Sequence, residues 1–274
     1  MNNKESEILV QQELQRRPTV NPYRYATHLI LGRLLWDLNW KSWISRKRIR
    51  NWSDRYCGQK AIILCNGPSL NKVDFTILET ADIFTFGLNK INLLFDRTTF
   101  RPSCIVSINP HVLIQNRDYF NETDIPLFLN SFAHRYVDFR KNAILLHFAN
   151  VSRRFARDCS FSMCQGHTVT YAALQLAFHM GFKQVALIGA DHTFASKGIP
   201  NVDVIAGETD LDHFHPDYFA GGVTWQYPDL LGNELHYELA RDTYSRYKRE
   251  IYNCTEGGRL EIFERLSLQD FLAL

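Results

Sequence analysis

Apolar and polar positions along this chain follow two rhythms, and the change between them falls near Gly58. Before that point Leu29, Ile30, Leu34, Leu35, Trp36, Leu38, Trp40, Trp43 and Ile44 recur close to helical spacing, interleaved with Lys41, Arg46, Lys47, Arg48 and Arg50. The pattern predicts helix from Tyr23 to about Trp52, preceded by a polar helix over 1–17 that Pro18 and Pro22 stop. After Gly58, short apolar runs alternate with helical patterns. Strands are predicted over 61–65, 82–86, 104–108, 126–129, 143–147 and 185–189, with a further one at 250–253. Helices are predicted over 70–79, 111–120, 151–157, 168–181 and 233–249. The clearest is 168–181, where Ala172, Ala173, Leu176, Ala177 and Met180 share a face and Gly181 supplies the stop.

Such β-α alternation implies a mostly parallel, Rossmann-like α/β sheet flanked by helices. The expected organisation is a basic, Trp-rich helical extension over 1–57 and an α/β domain over 58–274, with a small lid around 192–232. Charge sharpens this division. Residues 1–60 hold twelve Lys/Arg against five Asp/Glu, a net of +7, which leaves −5 for the remainder of a chain whose total is +2. Four of the five tryptophans lie in the same basic stretch, and Trp beside Lys and Arg is what an interfacial helix shows. Peripheral membrane contact through 23–55 and packing on the α/β domain both fit it. Nucleic acid is disfavoured, because the positive segment lies away from the predicted sheet edge.

Six cysteines without a C-x-x-C pair suggest neither a thiolate metal site nor a disulfide framework, which fits a reducing cytoplasm. No window offers the ~18 consecutive apolar residues of a spanning helix, and the first residues are not signal-like. A cytoplasmic protein, with or without attachment to the inner membrane face, is expected.

Candidate chemistry gathers where the strands end. Ala61–Leu64 runs into Cys65-Asn66-Gly67-Pro68-Ser69, and Val185–Ile188 into Gly189-Ala190-Asp191. A Gly after a strand permits close backbone approach, and Asn66 or Ser69 offers short polar groups to a phosphate or a sugar hydroxyl. The turn is neither G-x-G-x-x-G nor a P-loop, so hydride cofactors and Walker-type ATP binding lose support. Asn89 and Asn109 occupy corresponding places after the next two strands, and three amides at one edge suit base edges and ribose hydroxyls. Gly166 and Thr168 lead into the clearest helix, with Thr168 placed to cap it. Finally, Asp210-Leu211-Asp212-His213-Phe214-His215-Pro216-Asp217-Tyr218 is dense in proton-transferring side chains, and His213 and His215 are candidate general bases. No standard metal-ligand spacing occurs among them.

In order and spacing, these motifs over residues 60–255 resemble the bacterial sialyltransferases that use CMP-sialic acid to decorate lipooligosaccharide. They also resemble the related superfamily of motility accessory factors and MptE-like 6-hydroxymethylpterin diphosphokinases. The resemblance implies a GT-A-like variant of the Rossmann-type fold with a lid, metal-independent inverting transfer without a cofactor, and a His general base. It places Asn66, Gly67 and Ser69 near the CMP phosphate and ribose and Asn89 and Asn109 on the nucleotide or sugar; Gly166, Thr168 and Asp191, read from their places at a helix start and a strand end, are expected to complete the donor site. His213 matches the family base, with His215 as rival. The family's leaving-group tyrosines have no counterpart, since His192, Thr193 and Phe194 follow Asp191.

The leading expectation is therefore a glycosyltransferase that moves a CMP-activated acidic sugar, a nonulosonate or Kdo, to a glycan or glycolipid acceptor. A pterin diphosphokinase-like enzyme using ATP and Mg²⁺ through Asp191, Asp210 and Asp212 is the alternative, and a non-catalytic nucleotide-binding module is a third. Oligomeric state stays open.

Overall fold

The computed structural model describes residues 21–149, 154–195 and 198–274. Its strands are β1 (Lys60–Leu64), β2 (Phe84–Leu88), β3 (Cys104–Ser107), β4 (Leu127–Asn130), β5 (Ala143–Leu146), β6 (Gln184–Ile188), β7 (Asp203–Ile205), β8 (Thr224–Gln226), β9 (Glu250–Asn253) and β10 (Glu264–Arg265). Its helices are α1 (Pro22–Asp37), α2 (Trp40–Arg50), α3 (Phe75–Ala81), α4 (Pro110–Gln115), α5 (Arg117–Glu122), α6 (Val169–His179), α7 (Leu230–Arg246) and α8 (Leu268–Ala273). Eight strands form one sheet in the order β10-β9-β6-β1-β2-β3-β4-β5, and every neighbouring pair is parallel. This is the Rossmann-like α/β sheet that the alternation predicts.

The chain starts the sheet at β1, works outward to β5, then returns to lay β6 on the other side of β1. The carboxyl ends of β1 and β6 therefore flank the point where strand order reverses, which is where open α/β sheets open a crevice. Residues 61–64 of β1 and 185–187 of β6 have no exposed surface, because helices cover both faces.

Helix α6 explains how such a sheet is sealed. All residues from Thr170 to His179 are buried, far more than one amphipathic stripe would be. The polar members are matched: Gln175 Oε1 accepts from the amides of Ala156 and Cys164, and its Nε2 donates to the carbonyls of Cys164 and Tyr171. Thr168 caps the helix by accepting from the Thr170 amide, as its sequence position predicts.

The chain divides into two compact units, Met1–Asn39 and Trp40–Leu274. Helix α1 lies in the first, with Asn21 accepting from the amides of Tyr23 and Arg24 and Pro22 in its first turn. Helix α2 belongs to the second, so a boundary at residue 57 falls inside a packed unit. The reason is an edge strand that needs a cover. The Ser45 hydroxyl accepts from the Leu145 amide of β5, and Arg48 donates to the carbonyls of Arg140 and Ala143. Trp52 likewise packs edge-on against Phe84 and Phe128.

Several predicted elements shift. The 1–17 helix lies outside the described residues, as do 151–153, and 154–157 are not helical. The helix expected over 70–79 is a tight 3₁₀ turn at Pro68–Lys72 followed by α3, which Asp74 caps. The one expected over 111–120 is two helices broken at Asn116, whose side chain donates to Asn92. No described helix is long and apolar enough to cross a membrane.

All six cysteines are free thiols, and only Cys57 is exposed. Burial pushes the Cys65 thiol up to about 12 and that of Cys254 up to about 12. One fast-reacting equivalent is therefore expected when the native protein is titrated with a thiol reagent, lost in Cys57→Ser; two or more would contradict this packing.

Candidate active site

The turn after β1 is tied to the end of β6. The Gly67 amide donates to the Gly189 carbonyl at 2.9 Å, and the Asp191 carboxylate accepts from the Ser69 amide at 3.2 Å and the Ser69 hydroxyl at 2.7 Å. A Cβ on Gly67 would sit 2.0 Å from Asp191 Oδ2 and 2.7 Å from the Gly189 carbonyl oxygen. The close approach that Gly67 permits is thus between two strand ends, and the donors of Ser69 are taken by Asp191. Gly166 likewise makes room for Tyr171, at a φ of +63°.

The three amides differ in their duties. Asn109 Oδ1 accepts from the His111 amide and caps α4. Asn89, at a φ of +49°, accepts from the Ser107 hydroxyl and hydrogen-bonds the buried Tyr218 phenol. Asn66 donates from Nδ2 to the Leu88 carbonyl, while its Oδ1 is buried with no partner among the described residues. A buried acceptor left unmatched is costly, so this oxygen calls for a donor.

Across this edge lies the loop 207–219, part of the segment from His192 to Asp229 that also carries the two-stranded β7–β8 sheet. It is clamped at several points. The Phe214 amide donates to the Asn66 carbonyl at 2.9 Å, Asn71 donates to the Phe214 carbonyl at 2.7 Å, and the Lys90 amine donates to the Tyr218 carbonyl at 2.6 Å. His111 and Asp203 join α4 to β7.

Within the loop, His213 Nδ1 lies 2.8 Å from Asp210 Oδ2. The imidazole is stacked flat on the Tyr218 ring, with centroids 4.0 Å apart and planes 2° apart. A carboxylate at Nδ1 places the proton there and leaves Nε2 with its lone pair, and Nε2 has no hydrogen-bond partner among the described residues. Burial works to raise the Asp210 carboxyl, but the hydrogen bond and charge of His213 and the amides of Asp212 and Phe219 outweigh it and hold it below its ordinary value. His215 is arranged oppositely. Its Nδ1 accepts from the Asp217 amide at 3.1 Å, so its proton sits on Nε2 and no free lone pair remains. The geometry thus sets His213 apart from His215, its rival in the sequence.

Two residues at this edge have places that the sequence reading does not give them: Asp210, read there only as a carboxylate for Mg²⁺, and Lys90, not read at all. Asp210 stands three residues before His213, a spacing that is a usable signal for a polarised imidazole in a tight loop. Lys90 is 7% exposed and lies 128 residues before Tyr218, so no local pattern marks it. Burial drives its amine down to about 8, against the pull of the Asp210 carboxylate. Below about pH 8 the amine is charged in the folded and unfolded chain alike, and the folded state carries the full cost of burying it. Between about 8 and the ordinary 10.5 the unfolded chain binds more protons, so stability from this group rises with pH. Urea midpoints at pH 7 and 9.5 should therefore rise more for the native sequence than for Lys90→Met; parallel changes would contradict the buried amine.

A second imidazole–carboxylate pair, His192 Nε2 with Glu234 Oε1 at 3.0 Å, follows Asp191 directly. A surface depression of about 340 Å³ lined by Thr76, Ile77, Thr80, Ala81 and Leu272 holds no titratable group and no chemistry.

Among solved structures, a MAf glycosyltransferase from Magnetospirillum magneticum AMB-1 superposes with a TM-score of 0.50 at 15% identity. The superposition covers 85% of this chain and 39% of that one, so the chain spans about two fifths of that protein's length. At this identity the likeness is one of fold. No curated protein sequence matches the chain. The family described as 6-hydroxymethylpterin diphosphokinase MptE-like matches over residues 38–197, more than half of the sequence, from α2 through the end of β6. The chain belongs to the 6-hydroxymethylpterin diphosphokinase MptE-like family.

Proposed function

We propose that this protein is a glycosyltransferase that takes an acidic sugar, a nonulosonate or Kdo, from a CMP-activated donor to a hydroxyl of a glycan or glycolipid, with inversion. The observation that carries the reading is the Asp210–His213 pair held over the sheet edge with Nε2 unengaged. In such a transfer Nε2 removes the acceptor hydroxyl proton while the bond between the anomeric carbon and the CMP phosphate oxygen breaks. The acceptor oxygen forms the new bond, the bonding pair departs with CMP, and the proton stays on His213. Asp210 holds the ring in place and balances the imidazolium charge.

The donor is assigned to the edge formed by Asn66, Asn89 and Asn109, beside the amino end of α6 capped by Thr168. The unpartnered Asn66 Oδ1 matches a ligand hydroxyl or amine, and amides at a helix start suit the leaving phosphate. Gly67, Ser69 and Asp191 support this edge by fastening β1 to β6. The fold likeness to a glycosyltransferase agrees with this reading.

The family description favours a second reading, ATP- and Mg²⁺-dependent diphosphate transfer. It needs several carboxylates converging on phosphates. Here Asp191 is engaged by Ser69, Asp210 by His213 and Asp212 by the Ala195 amide, which weakens it. Thermal shift with CMP, UDP, GDP and ATP, each with EDTA or Mg²⁺, distinguishes the two. CMP at about 100 times its Kd should add about 2.7 kcal/mol, or roughly 5–8 °C, in EDTA. A response to ATP alone, dependent on Mg²⁺, would favour the second reading.

A further inference from the structure

Helix α2 is inside out. The residues it buries are Ser42, Ser45 and Ile49, which fall within about 60° of one another at helical spacing. Opposite them stand Trp40, Trp43 and Ile44, with the two indoles 61% and 69% exposed. A helix selected only to cover β5 would turn its large apolar side chains inward, as amphipathic surface helices do. This one seals the edge strand with a serine hydroxyl, a guanidinium and the single apolar side chain of Ile49, and leaves Trp43 and Trp40, whose ring meets Phe139 edge-on, more than half exposed.

The charge on the same helix is of one sign. Lys41, Arg46, Lys47, Arg48 and Arg50 are accompanied by no acid. Arg48 is turned inward onto carbonyls and the Phe139 ring, whereas Lys47 and Arg50 are exposed. Arg46 and Arg50 hold their guanidinia 5.9 and 5.6 Å from the ring of Phe161, itself 52% exposed. The surface is thus aromatic and cationic at once, on a convex helix. Helix α1, taken alone, repeats the theme: Ile30, Leu31, Leu34, Leu35 and Leu38 form an exposed stripe at i, i+1, i+4, i+5 and i+8.

We infer that the outward face of α2 is a docking surface for an anionic lipid bilayer, with Trp40, Trp43 and Ile44 entering the headgroup layer and Lys47 and Arg50 on lipid phosphates. Indoles favour the boundary between headgroup and acyl chain, and exposed basic side chains supply the attraction to negative lipid. Neither signal alone holds a protein firmly at a membrane, and this helix carries both. The inference is independent of the reaction assigned to the sheet edge.

Co-sedimentation of the full chain with vesicles of phosphatidylcholine alone, or with about 30% phosphatidylglycerol, tests it. Binding is expected only to the anionic vesicles, falling at least about tenfold in Trp40→Ser/Trp43→Ser and in Lys47→Glu/Arg50→Glu, and several-fold on raising salt from about 0.05 to 0.5 M. Should the tryptophan variant fold poorly by circular dichroism, the Lys47/Arg50 variant decides, since both positions are exposed. Equal binding to neutral vesicles, no binding, or binding indifferent to the variant would overturn the inference. Self-association in sedimentation velocity that disappears in these variants, without vesicle binding, would assign the face to a second copy of the chain and overturn it as well.

Discussion

His213→Ala is expected to lower glycosyl transfer by about 10²–10⁴-fold while the stabilisation by CMP stays near that of the native sequence. The effect is large because the tautomer, orientation and free lone pair of this imidazole are all set for taking a proton. Asp210 fixes Nδ1 at 2.8 Å, and Tyr218 fixes the ring plane. Binding is spared because the loop is fastened through main-chain groups of Phe214 and Tyr218 and not through the imidazole. His213→Gln keeps more of the volume against Tyr218 and should show the same loss, which separates chemistry from packing. His215→Ala, by contrast, removes only an acceptor for the Asp217 amide and should retain most turnover. Asp210→Asn should fall between these. Its carboxylate accepts from four donors, the amides of Asp212, His213 and Phe219 and the His213 ring, and an amide cannot accept from all four. Initial rates and CMP titrations on the same preparations check all four variants; full turnover in His213→Ala would remove the base assignment.

The second large effect is expected at Gly67. Gly67→Ala should destabilise the fold by about 3 kcal/mol, since an added methyl there overpacks a closed junction. Its obstacles at 2.0 and 2.7 Å are the Asp191 carboxylate, held by the Ser69 amide and hydroxyl, and the Gly189 carbonyl just after β6, which accepts from the Gly67 amide, so moving either breaks a hydrogen bond. Relief requires parting β1 from β6 at the point where strand order reverses, so the response to CMP should disappear along with roughly 6–10 °C of Tm. Asp191→Ala enlarges the space but strands the Ser69 amide, and should cost less, about 1–3 kcal/mol. Thermal melts of the two variants and their double mutant give the coupling. An undiminished Tm in Gly67→Ala would show that the junction opens easily and that Gly67 serves a ligand instead.

How much of this was readable beforehand varies with the physics of each element. Strands β1, β3, β4, β5, β6 and β9 fall within about a residue of their predicted ranges, because a strand buried on both faces is a continuous apolar run. Strand β2 lies two residues later than predicted. Asp82, at a φ of +47°, belongs to the end of α3, and the strand runs on through Gly87, where Pro102 and Ile91 pack into the space a side chain would take. Strands β7, β8 and β10 were invisible. They are two or three residues long, largely unburied, and exist through pairing with distant chain. Helix α7 starts three residues earlier than expected because Asp229 caps it by accepting from the Gly232 amide.

At the site, residue type was legible and partnership was not. A His-rich, acid-rich loop stands out in a sequence, and so do three Asn residues after successive strands. That Asn109 is spent on a helix cap, Ser69 on Asp191, and Asn66 left with an unmatched oxygen depends on approaches only the fold creates. The same holds for Trp52, which packs on Phe84 and Phe128 in the turn after α2, whereas Trp40 and Trp43, a few residues earlier on that helix, stay more than half exposed.

The most direct test of the account is CMP release from CMP-N-acetylneuraminate and from CMP-Kdo, with saccharide acceptors and EDTA present, comparing the native chain with His213→Gln. The account predicts that the native chain releases CMP from at least one donor with formation of an inverted glycoside, and that the variant does so at least about 10²-fold more slowly. Release no faster than without protein for both donors, or release at the native rate by the variant, would contradict it.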